Sequence, residues 1–380
     1  MPRVRASIVL IATLAAACHR TSAPPAAIRF LHTFNPEETR LFDATMTERG
    51  IVVDASLVPF ARGRQVIAEI LRAGTDCPDL IRIDATWLPE LVAGGLLVQV
   101  PLALIGHDWS PEAAALAQLH AEWWAAPQAV DGLLVIRDLG PPAVPAPASA
   151  SLTDLLAAAH AARTAWRRYP LGVRVDGYWF VPWLRAEGGE LAPGGFDDAA
   201  ARAMTRLAAL FGDVARPPPS SGLEEPDENQ RWANHEIAYW ITGPWQFHQL
   251  GDRARIAVSP LAGAPRGGQL LVVPRCAKHP DDGWRLADEL TSLPVEARFA
   301  AQFATVPTRN AALAEAPALS RAAYDALRGA TMLPREPVTP LLFDDLNAAL
   351  RAVIVGDASP EEAVAGVRRS WRRLTRQAAP

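Results

Sequence analysis

Along the first hundred residues, short apolar runs alternate with longer stretches whose apolar positions recur every three or four residues. Residues 28–32 read as a strand, 36–49 as a helix stopped by Gly50, 51–58 as a second strand and 61–73 as a helix ended by Gly74. Residues 80–83 form another short apolar strand, 86–93 a helix stopped at Gly94-Gly95, and 97–100 a further strand. This alternation predicts an α/β layer with a mainly parallel sheet. Residues 111–123 continue the helical period, 129–136 form an extended run able to pass into a second layer, and 141–150 are a Pro/Ala-rich loop.

A second α/β region follows. Ser151-Leu152-Thr153-Asp154 opens a helix with a capping-box pattern in which Asp replaces the usual Glu or Gln. Strands are predicted over 171–175, 237–241, 255–258 and 269–273, and helices over 197–211 and 228–235, around a Pro-rich break at 217–222. The tail reads as helices over 281–292, 295–303, 319–328 and 341–355. A last helix has Ser359 as its cap, Pro360 at its first position and Glu362 three residues after the cap. No solenoid-type repeat is present.

Composition narrows the functional classes. The 380 residues are 50% hydrophobic and 21% charged, with a formal net charge of −4, which excludes a disordered chain, a collagen-like repeat and a polytopic membrane protein. Lys278 is the one lysine, and acids outnumber bases, so no basic field for nucleic acid emerges. The 12 tryptophans against 4 tyrosines accompany an Ala-, Arg-, Pro- and Gly-rich composition that accounts for the excess without a functional cause.

The first residues read as an address. Arg3 and Arg5 precede an apolar run from Ala6 to Ala17, too short for a membrane span and ending in small residues, as in a secretory signal. Removal of residues 1–17 would leave a tether over 18–27. Leu14-Ala15-Ala16-Ala17-Cys18 resembles a bacterial lipoprotein signal, which implies lipidation of Cys18. Ala15 stands where that signal prefers a larger aliphatic residue, and ordinary cleavage near Ala17 is the competing reading. Two cysteines remain, Cys77 and Cys276, without the neighbouring Cys or His that a metal site requires, and an oxidising compartment permits a bridge between them.

Beyond the tether, a series of motifs resembles, in order, extracellular solute-binding proteins of the maltose-binding type. They begin with Arg29-Phe30-Leu31-His32-Thr33-Phe34-Asn35-Pro36-Glu37, and continue with Ala73-Gly74, Cys77-Pro78-Asp79-Leu80-Ile81 and Asp84-Ala85-Thr86-Trp87. Gly94-Gly95-Leu96-Leu97, Pro127-Gln128-Ala129-Val130-Asp131-Gly132 and Glu187-Gly188-Gly189-Glu190 come next. Gly243-Pro244-Trp245, Gly267-Gly268, Val306-Pro307-Thr308-Arg309 and Gly356-Asp357-Ala358-Ser359-Pro360-Glu361-Glu362 complete the order. The strand after Asp131 carries Leu134-Val135-Ile136-Arg137-Asp138-Leu139 in place of the family's Tyr-Asn-Lys, and Asn234-His235-Glu236-Ile237-Ala238-Tyr239 also departs from its pattern.

The resemblance implies a type II periplasmic-binding-protein fold of two α/β lobes closing by a hinge. Lobe one would comprise residues 28–130 and 254–308, and lobe two residues 131–253 and 309–380. It further implies a returning strand antiparallel to residues 80–83, which would bring Cys77 and Cys276 to one end of the sheet as a disulfide. The implied activity is capture of a small neutral carbohydrate for an ABC importer, without turnover or cofactor. The partners would be the permease subunits and, through the lipid anchor, a membrane; the receptor would be an exported monomer in the periplasm or at the cell surface.

Sugar hydroxyls call for in-plane acceptors and sugar faces for flat aromatics. Asp84, at the carboxyl end of a strand, and Asp131, in the crossing segment, are the candidate acceptors; a helix N-cap and a solvated hinge charge are their respective alternatives. Trp245 in the Gly-Pro-Trp loop is the leading aromatic, followed by Trp87, Trp179 and Phe343. Asn35 and Glu37 would contribute from the first loop, where Glu37 also reads as a cap. Arg309 would pair with a carboxylate across the cleft or hold the last hinge segment.

Other classes have less support. Tyr239 stands where an HExxH site beginning at His235-Glu236 needs its second His. No Gly-x-Ser-x-Gly elbow, Walker loop or dinucleotide fingerprint occurs. A glycosidase pair could hide among 41 carboxylates, and the tyrosines, spread singly at 169, 178, 239 and 324, argue against ferric-ion capture. A receptor for an amine and an interaction module without ligand are the remaining alternatives.

Overall fold

The computed structural model describes residues 27–217 and 228–378; the expected secretion signal over 1–17, Cys18 and most of the Pro-rich break at 217–222 lie outside the described residues. Eleven strands occur among them: Ile28–His32 (β1), Val53–Leu57 (β2), Leu80–Asp84 (β3), Gln118–Leu119 (β4), Glu122–Trp123 (β5), Ala126–Gly132 (β6), Leu134–Asp138 (β7), Leu171–Gly172 (β8), Tyr239–Thr242 (β9), Ile256–Ser259 (β10) and Arg266–Val272 (β11). One sheet has the order β2-β1-β3-β11-β6, a second the order β10-β7-β9-β8, and β4 with β5 forms a small hairpin. In the first sheet β1 is parallel to β2 and β3, while β11 runs antiparallel to both β3 and β6.

The first sheet is covered on both faces, so its central strands alternate between two cores. Leu80 packs with Phe30, Phe42 and Phe299 on one side, and Ile81 and Ile83 join Ile67, Leu88 and Leu116 on the other. A polar residue on such a strand therefore has to be bonded inside or placed at the strand end. The helix Pro36–Arg49 begins on a capping box, with Asn35 Oδ1 accepting from Glu38 N at 2.8 Å and Glu38 Oε2 accepting from Asn35 N at 2.9 Å. Helices also stop at Gly50, Gly74 and Gly356, as their periodicity predicts.

The chain passes between the sheets at Gly132, whose φ of 151° and close approach to Pro265 O, 2.6 Å from an added Cβ, admit no side chain. It re-enters the first sheet at Arg266, later than residue 254. Residues 256–259 pair with Val135–Asp138 in the second sheet, because a short strand's pattern shows that it is a strand but not which partner it takes. A third passage follows the Val130–Val306 bridge.

The antiparallel register Leu270↔Ile83 and Val272↔Ile81 carries Cys276 to Cys77, and the two are bridged with Cα atoms 5.8 Å apart.

Three local expectations change. Residues 97–100 make one bridge, Leu97 to Pro274, in place of a strand. The helix expected over 111–123 ends at Ala117, and His120 and Ala121, both with positive φ, turn the β4–β5 hairpin. Gly177–Ala186 is a helix although Gly177 and Pro182 read as breakers; Asp176 caps it by accepting from Tyr178 N at 2.8 Å.

Candidate functional site: the cleft between the lobes

Three adjacent strands of the first sheet bring polar side chains to one end. Gln269 on β11 is opposite Asp84 on β3, and Gly267 is opposite Asp131 on β6. Paired residues point to the same face and so do residues two apart, so Asp84, Gln269 and Asp131 form one row with an empty place at Gly267. A Cβ at position 267 would lie 3.0 Å from Asp131 Oδ1 and 3.2 Å from Tyr178 Oη of the second lobe.

Both carboxylates are half-buried. Asp84 Oδ1 accepts from Thr86 N at 2.8 Å and from the Thr86 hydroxyl, so it caps the helical turn Ala85–Trp87 and still presents its other oxygen. Gln269 Nε2 donates to Asp131 Oδ2 at 3.4 Å. Burial, then the charge of Asp84, pushes the Asp131 carboxyl up to about 7; burial also raises Asp84 against the pull of the Thr86 bonds. Tyr178, whose hydroxyl donates to Pro265 O at 3.3 Å, is held well above its ordinary value by burial and by Asp131.

Arg82 lies two residues before Asp84 on the same face. Its Nε donates to Gln128 Oε1 at 2.6 Å, its Nη1 to Thr33 Oγ1 at 2.9 Å, and its guanidinium stands 4.5 Å from the centre of the Phe34 ring. With Glu38 and Glu296 it lines an open pocket in the first lobe. A second open pocket lies beside the carboxylate row between Thr86, Gly267 and the segment Met332–Arg335.

The second lobe supplies an aromatic wall. Trp179, on the helix Gly177–Ala186, donates from Nε1 to Ile241 O at 2.8 Å and meets Trp245 edge-on at 5.9 Å. Trp245, on the turn Pro244–Gln249, folds over Gly243, where an added Cβ would fall 2.2 Å from its ring. Both indoles are half-buried, with ring surface left to cover. The lobes touch directly: Asn35 Nδ2 and His248 Nε2 are 3.4 Å apart, Arg253 Nη1 donates to Ala301 O at 2.8 Å, and Arg64 and Asp344 are 3.8 Å apart.

The structure brings together Asp84, Asp131, Trp179 and Trp245, with Asn35 at the contact between lobes. It removes three expected residues. Trp87 is 7% exposed and its ring presses on Gly63, so it belongs to the core. Glu37 turns to solvent and pairs with Arg40 at 3.0 Å, while Glu38 closes the cap. Arg309 bonds to Asp108 and stacks 5.4 Å from Trp109, holding the last crossing instead of reaching over the cleft. Phe343 borders the site but packs its ring on Gly177.

Sequence reasoning did not single out Gln269, Arg82 and Tyr178, which lie in or beside the row, or Phe60. A lone Gln ahead of Leu270-Leu271-Val272-Val273 was a legible signal, since a polar residue in a buried strand needs a partner. Phe60 is 52% exposed and stacks 5.3 Å from Trp87 at the carboxyl end of β2. Among the described residues no group of three or more His, Cys, Asp or Glu is placed to hold a metal ion.

Two lobes of discontinuous chain, crossing strands between them and polar strand ends at their junction define the periplasmic-binding-protein fold. No family model matches the chain, and no curated protein matches it in sequence. Solved structures of this fold do. The GacH receptor of Streptomyces glaucescens GLA.O, solved unliganded and with acarbose, is 23% identical over 92% of this chain and 98% of its own, with a TM-score of 0.77. The maltose/maltodextrin-binding domain MalE from Bdellovibrio bacteriovorus, bound to maltotriose, is 15% identical over 92% and 100%, with a TM-score of 0.78. An ABC transporter solute-binding protein from Thermotoga lettingae TMO, bound to α-D-tagatose, is 20% identical over 91% and 99%, with a TM-score of 0.73.

Proposed function

We propose that the protein is the extracytoplasmic receptor of an ABC importer, capturing a carbohydrate between its lobes and presenting it to the permease subunits. The observation that carries this reading is the pairing of an acceptor row, Asp84, Gln269 and Asp131, with the half-buried indoles of Trp179 and Trp245 across the cleft. Hydroxyls would bond to the first and C–H faces would stack on the second. Similar folds solved with maltotriose and tagatose support it. Lobe closure would favour the bound state through contacts that only the closed cleft makes.

The export signal, Cys18 as lipid anchor and an oxidising compartment fit one another, and the Cys77–Cys276 bridge supports that setting. Among the described residues no helix is long and apolar enough to cross a membrane, so the anchor would be the means of attachment. We read the receptor as a monomer that needs no cofactor and turns nothing over. Titrating tryptophan fluorescence with mono- and oligosaccharides tests this: a saturable change with the sugar recovered intact is expected. Newly released reducing ends, or no response to any sugar, would overturn it.

A further inference from the structure

The acceptors at the cleft floor are incompletely partnered, and so is one buried donor beside them, Arg266 Nε. Gln269 is more than nine-tenths buried, and its Oε1 has no hydrogen-bond partner, although its Nε2 is committed to Asp131. Asp84 has one oxygen engaged by Thr86 and is also held by the Gln269 amide, and Asp131 Oδ1 lies beside Gly267. Among the described residues no Arg, Lys or His lies within 4 Å of either carboxylate. A buried acceptor left without a donor costs about 1–3 kcal/mol, and more for a charged one, so the arrangement awaits a donor from outside.

The charges around the pair are mixed, and Arg266, beside Gly267 on β11, lines the same cavity. Arg82, on β3, acts on both carboxylates from a distance, but its bonded nitrogens serve Gln128 and Thr33. Glu38, from the helix Pro36–Arg49, adds negative potential at Asp131. From the second lobe, Asp176 and Arg185 face Tyr178, and Arg185 is bound to Glu190 at 3.0 Å. A neutral sugar would supply donors without charge, whereas an ammonium supplies three donors and a positive charge.

We propose that the preferred ligand is a carbohydrate bearing a protonated amine, seated among Asp84, Asp131 and the Gln269 side-chain carbonyl. This rests on the carbohydrate-receptor reading and narrows its ligand class. The raised Asp131 carboxyl holds a proton for part of the time near pH 7. A bound cation favours the ionised form, so capture releases that proton to solvent. Affinity then rises from about pH 6 to pH 8 and falls once the ligand's own amine loses its proton.

Calorimetry on the full mature protein tests it with maltose, cellobiose and trehalose against counterparts in which one hydroxyl is replaced by an amine. The expected result is at least tenfold tighter binding of an amino member at pH 7.5. Its heats should differ between phosphate and Tris buffers by the proton released, and Asp131→Asn and Asp84→Asn should each lose the preference. Neutral members binding as tightly as their amino counterparts would overturn this inference and leave the receptor function standing. Failure of both arms to bind would overturn both. The wild-type comparison decides the matter even if a variant does not fold.

Discussion

Removing the Cys77–Cys276 bridge, by Cys77→Ala with Cys276→Ala, takes a cross-link from positions 199 residues apart. The chain-entropy relation for a loop of that length gives a ceiling of about 5 kcal/mol at 25 °C; strain and residual structure in the unfolded chain bring typical bridges to about 2–4 kcal/mol. Cys77 is buried at 2% exposure against the core, so the paired substitution also loses some packing. We expect the double variant to lose about 3 kcal/mol and its Tm to fall by roughly 4 °C. The assay is differential scanning calorimetry of oxidised wild type, reduced wild type and the double variant. Reduced protein should fall toward the variant. The reasoning fails if all three unfold together, or if denatured, oxidised protein titrates with thiols at both Cys77 and Cys276.

Other consequences can be measured on the same protein. Trp245→Ala uncovers about 80 Å² of stacking surface in a ligand complex, worth ~2 kcal/mol, so binding of whichever sugar gives a saturable fluorescence change should weaken roughly thirtyfold; a change under threefold would remove Trp245 from the site. Gly267→Val presses on Asp131 Oδ1 and Tyr178 Oη, 3.0 and 3.2 Å from an added Cβ, so ligand binding should be lost and the Tm should fall; unchanged affinity in calorimetry would place the ligand elsewhere. Burial raises the Glu296 carboxyl to about 7, above its unfolded value, so the native state holds this proton more tightly. Its contribution is therefore complete below pH 4.5 and is lost as pH rises toward 7; urea midpoints should show that decline, and Glu296→Gln should reduce it. Arg309→Ala, losing Asp108 and the Trp109 stack, should lower the Tm and leave sugar affinity within threefold.

The strand and helix order was legible because each element is marked locally, by runs such as Leu80-Ile81 and by stops such as Gly50. What was not legible depends on pairing. Residues 256–259 read correctly as a strand, yet their sheet is decided by the register with Val135–Asp138, which no local pattern records. The same limit governs the site. Asp84 and Asp131 stand at strand ends where sequence placed them, but Gln269 becomes their neighbour only through β11 lying between β3 and β6. Trp87 and Trp179 both read as candidate ligand-facing aromatics. One is pressed into the core by the closeness of Gly63, and the other sits on a helix whose Gly177 and Pro182 disguised it.

The position of β11 also bears on how the protein is made. Synthesis delivers residues in order, and β7 to β10, which form the whole second sheet, emerge between residues 134 and 259. β11 arrives afterward, although it separates β3 from β6, both complete by residue 132. Until then β3 and β6 each keep an unpaired edge, the kind of surface that templates association between chains. The nested second sheet is thus able to form first, and the first sheet, with the carboxylate row and the disulfide, is a late assembly step across a long sequence separation.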